Sequence, residues 1–489
     1  MASRLQYFAE HTADQILDSV ARFCVRTLHL SNSHFVRHRM YGIEDKLVAI
    51  LYSLLILLLA GGIRVFAGTF LIPAGLFALA WFAFTLLPLV VLFSVPINSL
   101  AILYIVAAVF VFSLSALPFD WQGGLRRNLT KSLPAAAFDS RFLKVALYLS
   151  VMASTSLSVV TMLINGFTIE QVIFDLIRTS GQYATLRGTV GLEYGILGVF
   201  NTMFMYLCPV LGGLRVLAPK RKWFFVVSMV PSLFTMVIKS SKLVFLVSLC
   251  FYLSGALVAR IYARQMSLPK VSGLPKMIIW AAIIIPLVLV SFVSRFTGFD
   301  LDNLGAIADP LLYDVRSYTL GQTYSFSDFF SHAIGYPCAT VYNDDFTSYG
   351  AYTFFPILDM LGMGKGATLI YDEAGWYKDV FQTNIFTFFR GLIDDFGVAG
   401  SLLFCFVFGT FAHAATYRLL TKTRAWFALA VFITVVVFIL MGYLTSVFSA
   451  RYAFLTAAVT WLLLNLNERL YRTGKRQPIP RKTQLTSHC

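Results

Sequence analysis

The chain has 489 residues, of which 58% are hydrophobic and 13% charged, and its formal net charge is +15 at pH 7. So few charges among so many apolar residues, gathered in repeated runs of about 20, exclude an ordinary soluble domain and make lipid the solvent for most of the protein. The six cysteines (Cys24, Cys208, Cys250, Cys338, Cys405 and Cys489) lie mostly inside apolar segments with no C-x-x-C spacing, so neither a disulfide framework nor a zinc site is indicated.

Residues 1–46 carry six Lys or Arg, and within them Ile16–Leu30 reads as an amphipathic interfacial helix. Apolar spans follow at 47–66, 70–93, 96–116, 142–164, 194–216, 223–239, 243–262, 277–296, 393–417, 425–446 and 452–467. The expectation is an all-α polytopic membrane protein of about 11 transmembrane helices. Its parts are a first helix bundle at 47–296, a large extracytoplasmic (periplasmic) loop at 297–392 with short amphipathic helices on or near the membrane surface, C-terminal helices at 393–467, and a basic tail at 468–489. Eleven spans with the C-terminus inside put residues 1–46 outside, against their positive charge. Either one early segment is re-entrant or the chain starts at Met40, which leaves the short acidic tail MYGIEDK.

The basic charge would suit nucleic acid, but its placement does not. Five short connections (116–144, 215–222, 260–276, 418–424 and the tail from Glu468) hold 22 of the 39 Lys and Arg, the signature of loops facing a cytoplasmic leaflet. The stretch from Thr297 to Leu392 is the opposite: it holds eleven Asp and Glu, but only Arg316, Lys365, Lys378 and Arg390 as fixed cations.

Cations set against that bias are therefore informative. Arg178, Arg187, Lys239, Lys242, Arg295, Arg316, Arg390 and Arg451 fall at span ends on the side away from the basic loops. Such placement points to an anionic partner, an acidic side chain or a phosphate group gripped by guanidinium forks. The run from Thr383 to Gly400, read as a helix, sets Asn384, Thr387, Gly391 and Asp395 on one face. It also makes Arg390 and Asp394 an i, i+4 pair, with Gly397 and Gly400 open to close helix approach.

The pattern T-N-x-x-T followed by D-x-G-x-x-G, carried by Thr383, Asn384, Thr387, Asp395, Gly397 and Gly400 after a long Tyr- and Phe-rich loop, resembles the Wzy-type O-antigen or oligosaccharide repeat-unit polymerases. Pro73, Trp81, the Arg187-Gly-x-x-Gly191 element and the Lys239-Ser-Ser-Lys242 turn support it, and the resemblance covers roughly residues 70–467. It implies a multi-pass enzyme of the bacterial inner membrane that joins undecaprenyl-diphosphate-linked glycans at the periplasmic face. Donor and acceptor would both be lipid-linked, with membrane lipid, a chain-length regulator and a flippase as partners. No cofactor or metal is implied, and no nucleic acid. On this resemblance Arg187, Arg295, Arg390 and Arg451 lead as diphosphate ligands, with Arg178, Lys239, Lys242 and Arg316 behind them and Asn384 and Thr387 binding substrate. His332 and Asp395 are the candidate catalytic groups, with Asp328, Asp344, Asp345 and Glu373 as rivals, because each can take a proton from a sugar hydroxyl. The alternatives are an O-antigen ligase, which uses a similar donor, and a polysaccharide exporter or flippase. An exporter calls for charged residues along a central cavity, whereas the middles of these spans are nearly free of charge.

Overall fold

A computed structural model of the protein describes residues 41–130, 138–189, 195–218, 221–267, 305–342, 348–361, 371, 373–377, 380–446 and 450–474. The helices α1 (Ile43–Ala67), α2 (Pro73–Val91) and α3 (Ser99–Leu114) come first. Gly68 ends α1 in the left-handed conformation, Pro73 opens α2 where a missing N–H costs nothing, and the Asn98 side chain caps α3. Then follow α4 (Trp121–Thr130), α5 (Arg141–Ile164), α6 (Ile169–Phe174), α7 (Leu176–Thr189), α8 (Gly195–Leu214), α9 (Arg221–Lys239) and α10 (Lys242–Tyr262). Next come α11 (Gly305–Ala333), α12 (Phe355–Met360), an antiparallel pair β1 (Gly375–Tyr377) and β2 (Phe381–Thr383), and α13 (Phe388–Thr421), α14 (Trp426–Met441) and α15 (Arg451–Gly474).

Seven of these helices, α1, α2, α5, α8, α9, α10 and α13, are long and apolar enough to cross a membrane, so the chain is a multi-pass membrane protein. The apolar helices α3 and α14 are shorter, at 16 residues each. Every expected span except 277–296 coincides with a described helix; that one, the N-terminal segment 1–40 and Met40 lie outside the described residues, and the total of eleven is not fixed by them.

The basic connections gather at one end of the bundle. There Ala74 N–H donates to His413 Nε2 at 3.1 Å, so the ring proton sits on Nδ1 and is given to Ser115 Oγ at 2.9 Å, which in turn donates to Phe112 O. Arg215 pairs with Asp139 and donates to the carbonyls of Phe138 and Ser140, while Glu468 accepts from Arg424 and Trp426. At the opposite end α11 lies across the ends of α1, α2 and α3. Lys46 Nζ donates to Leu92 O at 3.1 Å and to Tyr324 OH at 2.6 Å, Thr323 donates to Phe84 O, and Asn98 donates to Ser327 and Ser331. These bonds serve Leu92 O at the C-cap of α2 and Phe84 O, which Pro88 inside the helix cannot bond, and they place a buried cation where the helix dipole favours one.

Three local expectations change. The loop expected to hold only short helices contains one of 29 residues, Gly305–Ala333. Among the described residues one strand pair interrupts the helices, because Thr383 belongs to β2 and the helix begins at Phe388, leaving Asn384 in the irregular segment ahead of it. Gly397 serves no close approach: it has φ +69° and ψ 176°, a conformation open essentially to glycine alone, and a Cβ there would meet nothing within 4 Å. It kinks α13 into a short entry helix, 388–396, and the long span after it.

Candidate functional site

Two polar regions occupy the α11 end. The first is a cavity of about 370 Å³ between α8, α9, α10 and α15, within the roughly 300–1,000 Å³ range of small-ligand sites. Its walls are made by a tight turn. Lys239 ends α9, Ser240 takes φ +47°, Ser241 precedes α10, and the chain reverses within two residues. Lys239 and Arg451, the first residue of α15, both line the cavity with Ser241, Tyr206 and Tyr452. Its deeper wall is also polar: Asn201 and Thr235 line it, and both are tied to Ser158 of α5, with Ser154 Oγ donating to Asn201 Oδ1 at 3.0 Å. No acidic side chain is among the described lining residues. Gly213 of α8 packs on Gly255 of α10, where a Cβ on either would strike the other helix's backbone, and this close approach holds the two walls together.

The cavity has cations around it as well as in it. Lys239 Nζ lies 5.8 Å from the centre of the Tyr183 ring on α7, and Lys242 Nζ lies 5.2 Å from that of Tyr318 on α11. Arg316 is half-buried two residues before Tyr318, and Arg178 is exposed on α7.

The second region is a box around Arg390 in the entry helix of α13. Its guanidinium carbon is 3.6 Å from the Tyr371 ring centre, 4.1 Å from Phe386, 4.9 Å from Phe329 and 5.3 Å from Tyr342. Nη2 pairs with Glu373 at 3.0 Å, and Nε lies 3.6 Å from Asp394, the expected i, i+4 partner. Tyr342 OH donates to Asp328, and the His332 ring lies against Tyr342 with centroids 5.0 Å apart, so His332 belongs to this region. Burial, helped by Asp394, pushes the Tyr371 phenol well above its usual range against the pull of Arg390, so the ring stays a neutral wall.

No protein-family model, curated protein or solved structure matches the chain.

The sequence-derived candidates therefore divide. Lys239 and Arg451 share the cavity, Lys242 lies between its lining residues Ser241 and Leu243, Arg390 and His332 share the box, and Arg316 and Arg178 line neither. Asp395 is almost fully buried beside the box as a clip: its carboxylate accepts from Ser348 Oγ, Tyr352 N and Thr353 N, fastening that turn to α13. Thr387 is buried at the N-cap position of α13 with no side-chain capping bond, Phe388 N–H donates to Gly442 O, and Asn384 is exposed, with Nδ2 3.5 Å from Tyr371 O. Asp328 holds the backbone of Ala339 and Thr340. Arg295, Asp344 and Asp345 lie outside the described residues, as does the side chain of Arg187. No cluster of three or more His, Cys, Asp or Glu able to hold a metal occurs among the described residues.

Sequence reading missed Asn201, Thr235, Tyr206 and the buried Lys46. A signal was present for the first two: Ser150, Ser154 and Ser158 recur every fourth residue along an apolar span, and a polar stripe inside a membrane helix needs partners.

Proposed function

We infer that the protein is a membrane glycosyltransferase that polymerises oligosaccharide repeat units carried on undecaprenyl diphosphate, working at the periplasmic face of a bacterial inner membrane. The observation that carries this reading is the cavity between span ends where Lys239 and Arg451, far apart in sequence, face the same space with no acid among the described lining. A doubly phosphorylated lipid end fits that charge, and the hydroxyl and amide groups of Asn201, Thr202, Thr235 and Ser241 suit phosphate oxygens or the first sugar.

In the reaction a hydroxyl of the incoming repeat unit attacks the anomeric carbon of the donor glycan. The bond to the diphosphate oxygen breaks, that oxygen keeps the electron pair, and the hydroxyl proton passes to a basic group. Lys239 and Arg451 offset the charge that gathers on the departing diphosphate, which is where preorganised donors contribute most to rate. The proton acceptor is not among the described residues that line the cavity, and the tyrosines of the outer block offer ring faces to sugars. A chain-length regulator and a flippase are the protein partners this activity calls for.

The test uses purified protein in liposomes with a synthetic polyprenyl-diphosphate repeat unit and no nucleotide sugar. A ladder of products that is lost in Lys239→Ala/Arg451→Ala supports the reading. A single transfer onto lipid A core shows a ligase instead, and movement of intact lipid-linked glycan without new bonds shows a transporter.

A further inference from the structure

One apolar surface at the α11 end belongs to neither polar region. Phe354 leads into α12, and Phe354, Ile357 and Leu361 recur at three- and four-residue spacing, so they share a face. They are 42%, 49% and 67% exposed, whereas Thr353 and Pro356 on the other side are buried. The face is not free in space. Phe354 N–H donates to Gly350 O, and Gly350 (φ +93°) leaves room that a Cβ would take from the Phe354 ring. That ring then packs edge-on against Phe396 and Phe404 of α13, at 6.3 and 6.4 Å.

Phe404 decides what covers the patch. It lies seven residues past the Gly397 kink, about 10 Å down the span, and its neighbours Leu403, Phe406 and Val407 are among the exposed apolar residues that a membrane helix turns to lipid. The exposed face of α12 is thus continuous with the lipid-facing surface of α13. We propose that Phe354, Ile357 and Leu361 form a wedge seated in the outer edge of the lipid leaflet, holding the Asp395-clipped turn at the membrane surface. A short apolar face of this kind enters the headgroup and acyl boundary by about 5–10 Å. Asp395 joins the wedge to the entry helix that carries Arg390, so the box is held at a fixed height above the lipid.

The test is electron paramagnetic resonance on full-length protein in lipid nanodiscs. Nitroxide labels are placed at Ile357→Cys or Leu361→Cys in a Cys24→Ser/Cys338→Ser/Cys489→Ser background, the other three cysteines being buried, with Leu403→Cys and the 88%-exposed Val341→Cys as lipid and water references. The proposal expects collision with oxygen to exceed collision with a water-soluble nickel complex at 357 and 361 severalfold, as at 403 and opposite to 341. Nickel accessibility at both sites equal to that at 341 would overturn it. Exclusion of both reagents together with dipolar broadening between copies would also overturn it, by showing that the face meets a second copy of the chain. Each variant is read only as the monodisperse fraction, and the two labelled positions answer independently should one fail to fold.

Discussion

The cavity and the box both contain cations at the same end of the molecule, yet they do opposite things with them. In the cavity Lys239 and Arg451 look into about 370 Å³ of space with hydroxyls and an amide around them. In the box Arg390 is 4% exposed, walled by four aromatic rings and already paired to Glu373, with Asp394 beside it. A diphosphate could enter the first without meeting a carboxylate among the described lining; in the second it would have to displace one. The lesson is that a cation placed against the positive-inside bias can sit in two different settings, beside carboxylates and rings in the box and beside hydroxyls and an amide in the cavity.

The difference can be broken from either side. The largest expected effect is on folding: Arg390→Ala removes the buried cation set between Glu373 and Asp394 and hollows the ring box, at about 3–5 kcal/mol. Arg390→Lys recovers only part of this, because an ammonium has no planar fork to lie flat on Tyr371. Thermal unfolding in detergent checks both. In the cavity the loss falls on ligand: Lys239→Ala or Arg451→Ala weakens polyprenyl-diphosphate binding by roughly tenfold to a hundredfold, the worth of one charge-assisted hydrogen bond. Lys239→Arg keeps most of it, and thermal midpoints stay close to the parent. Asp395→Ala sharpens the contrast further, since removal of the clip costs about 1–3 kcal/mol. Hydrogen exchange should then quicken at Tyr352 and Thr353 and stay unchanged around Lys239. A similar effect is expected at the kink, where Gly397→Ala strains a glycine-only conformation by about 1–3 kcal/mol and shifts the entry helix carrying Arg390 without touching the cavity.

The spans and the two ends were legible because apolar length and the clustering of Lys and Arg are local properties of sequence. So was the Lys239–Lys242 turn, where two short polar residues between apolar runs leave no room for anything longer. The Arg390–Asp394 pair also followed from helical spacing. The meeting of Lys239 with Arg451 did not, because it depends on how α9 and α15 pack around α8. Asp395 illustrates the reverse case. Its position in a D-x-G-x-x-G run suggests chemistry, but only the fold brings Tyr352 and Thr353 N–H groups onto its oxygens. Asn384 was placed on a helix because its spacing to Thr387 and Gly391 fits one; the β2 pairing with β1 holds Thr383 extended and delays the helix to Phe388.

The most direct test of the central claim is native mass spectrometry of the protein with a short-chain polyprenyl diphosphate, comparing parent, Lys239→Ala/Arg451→Ala and Arg390→Lys. If the cavity is the diphosphate site, the parent and Arg390→Lys bind one ligand and the double variant, folded to the same midpoint as the parent, binds none. Retained binding in the double variant, or its loss in a folded Arg390→Lys alone, would contradict the account and move the site to the box.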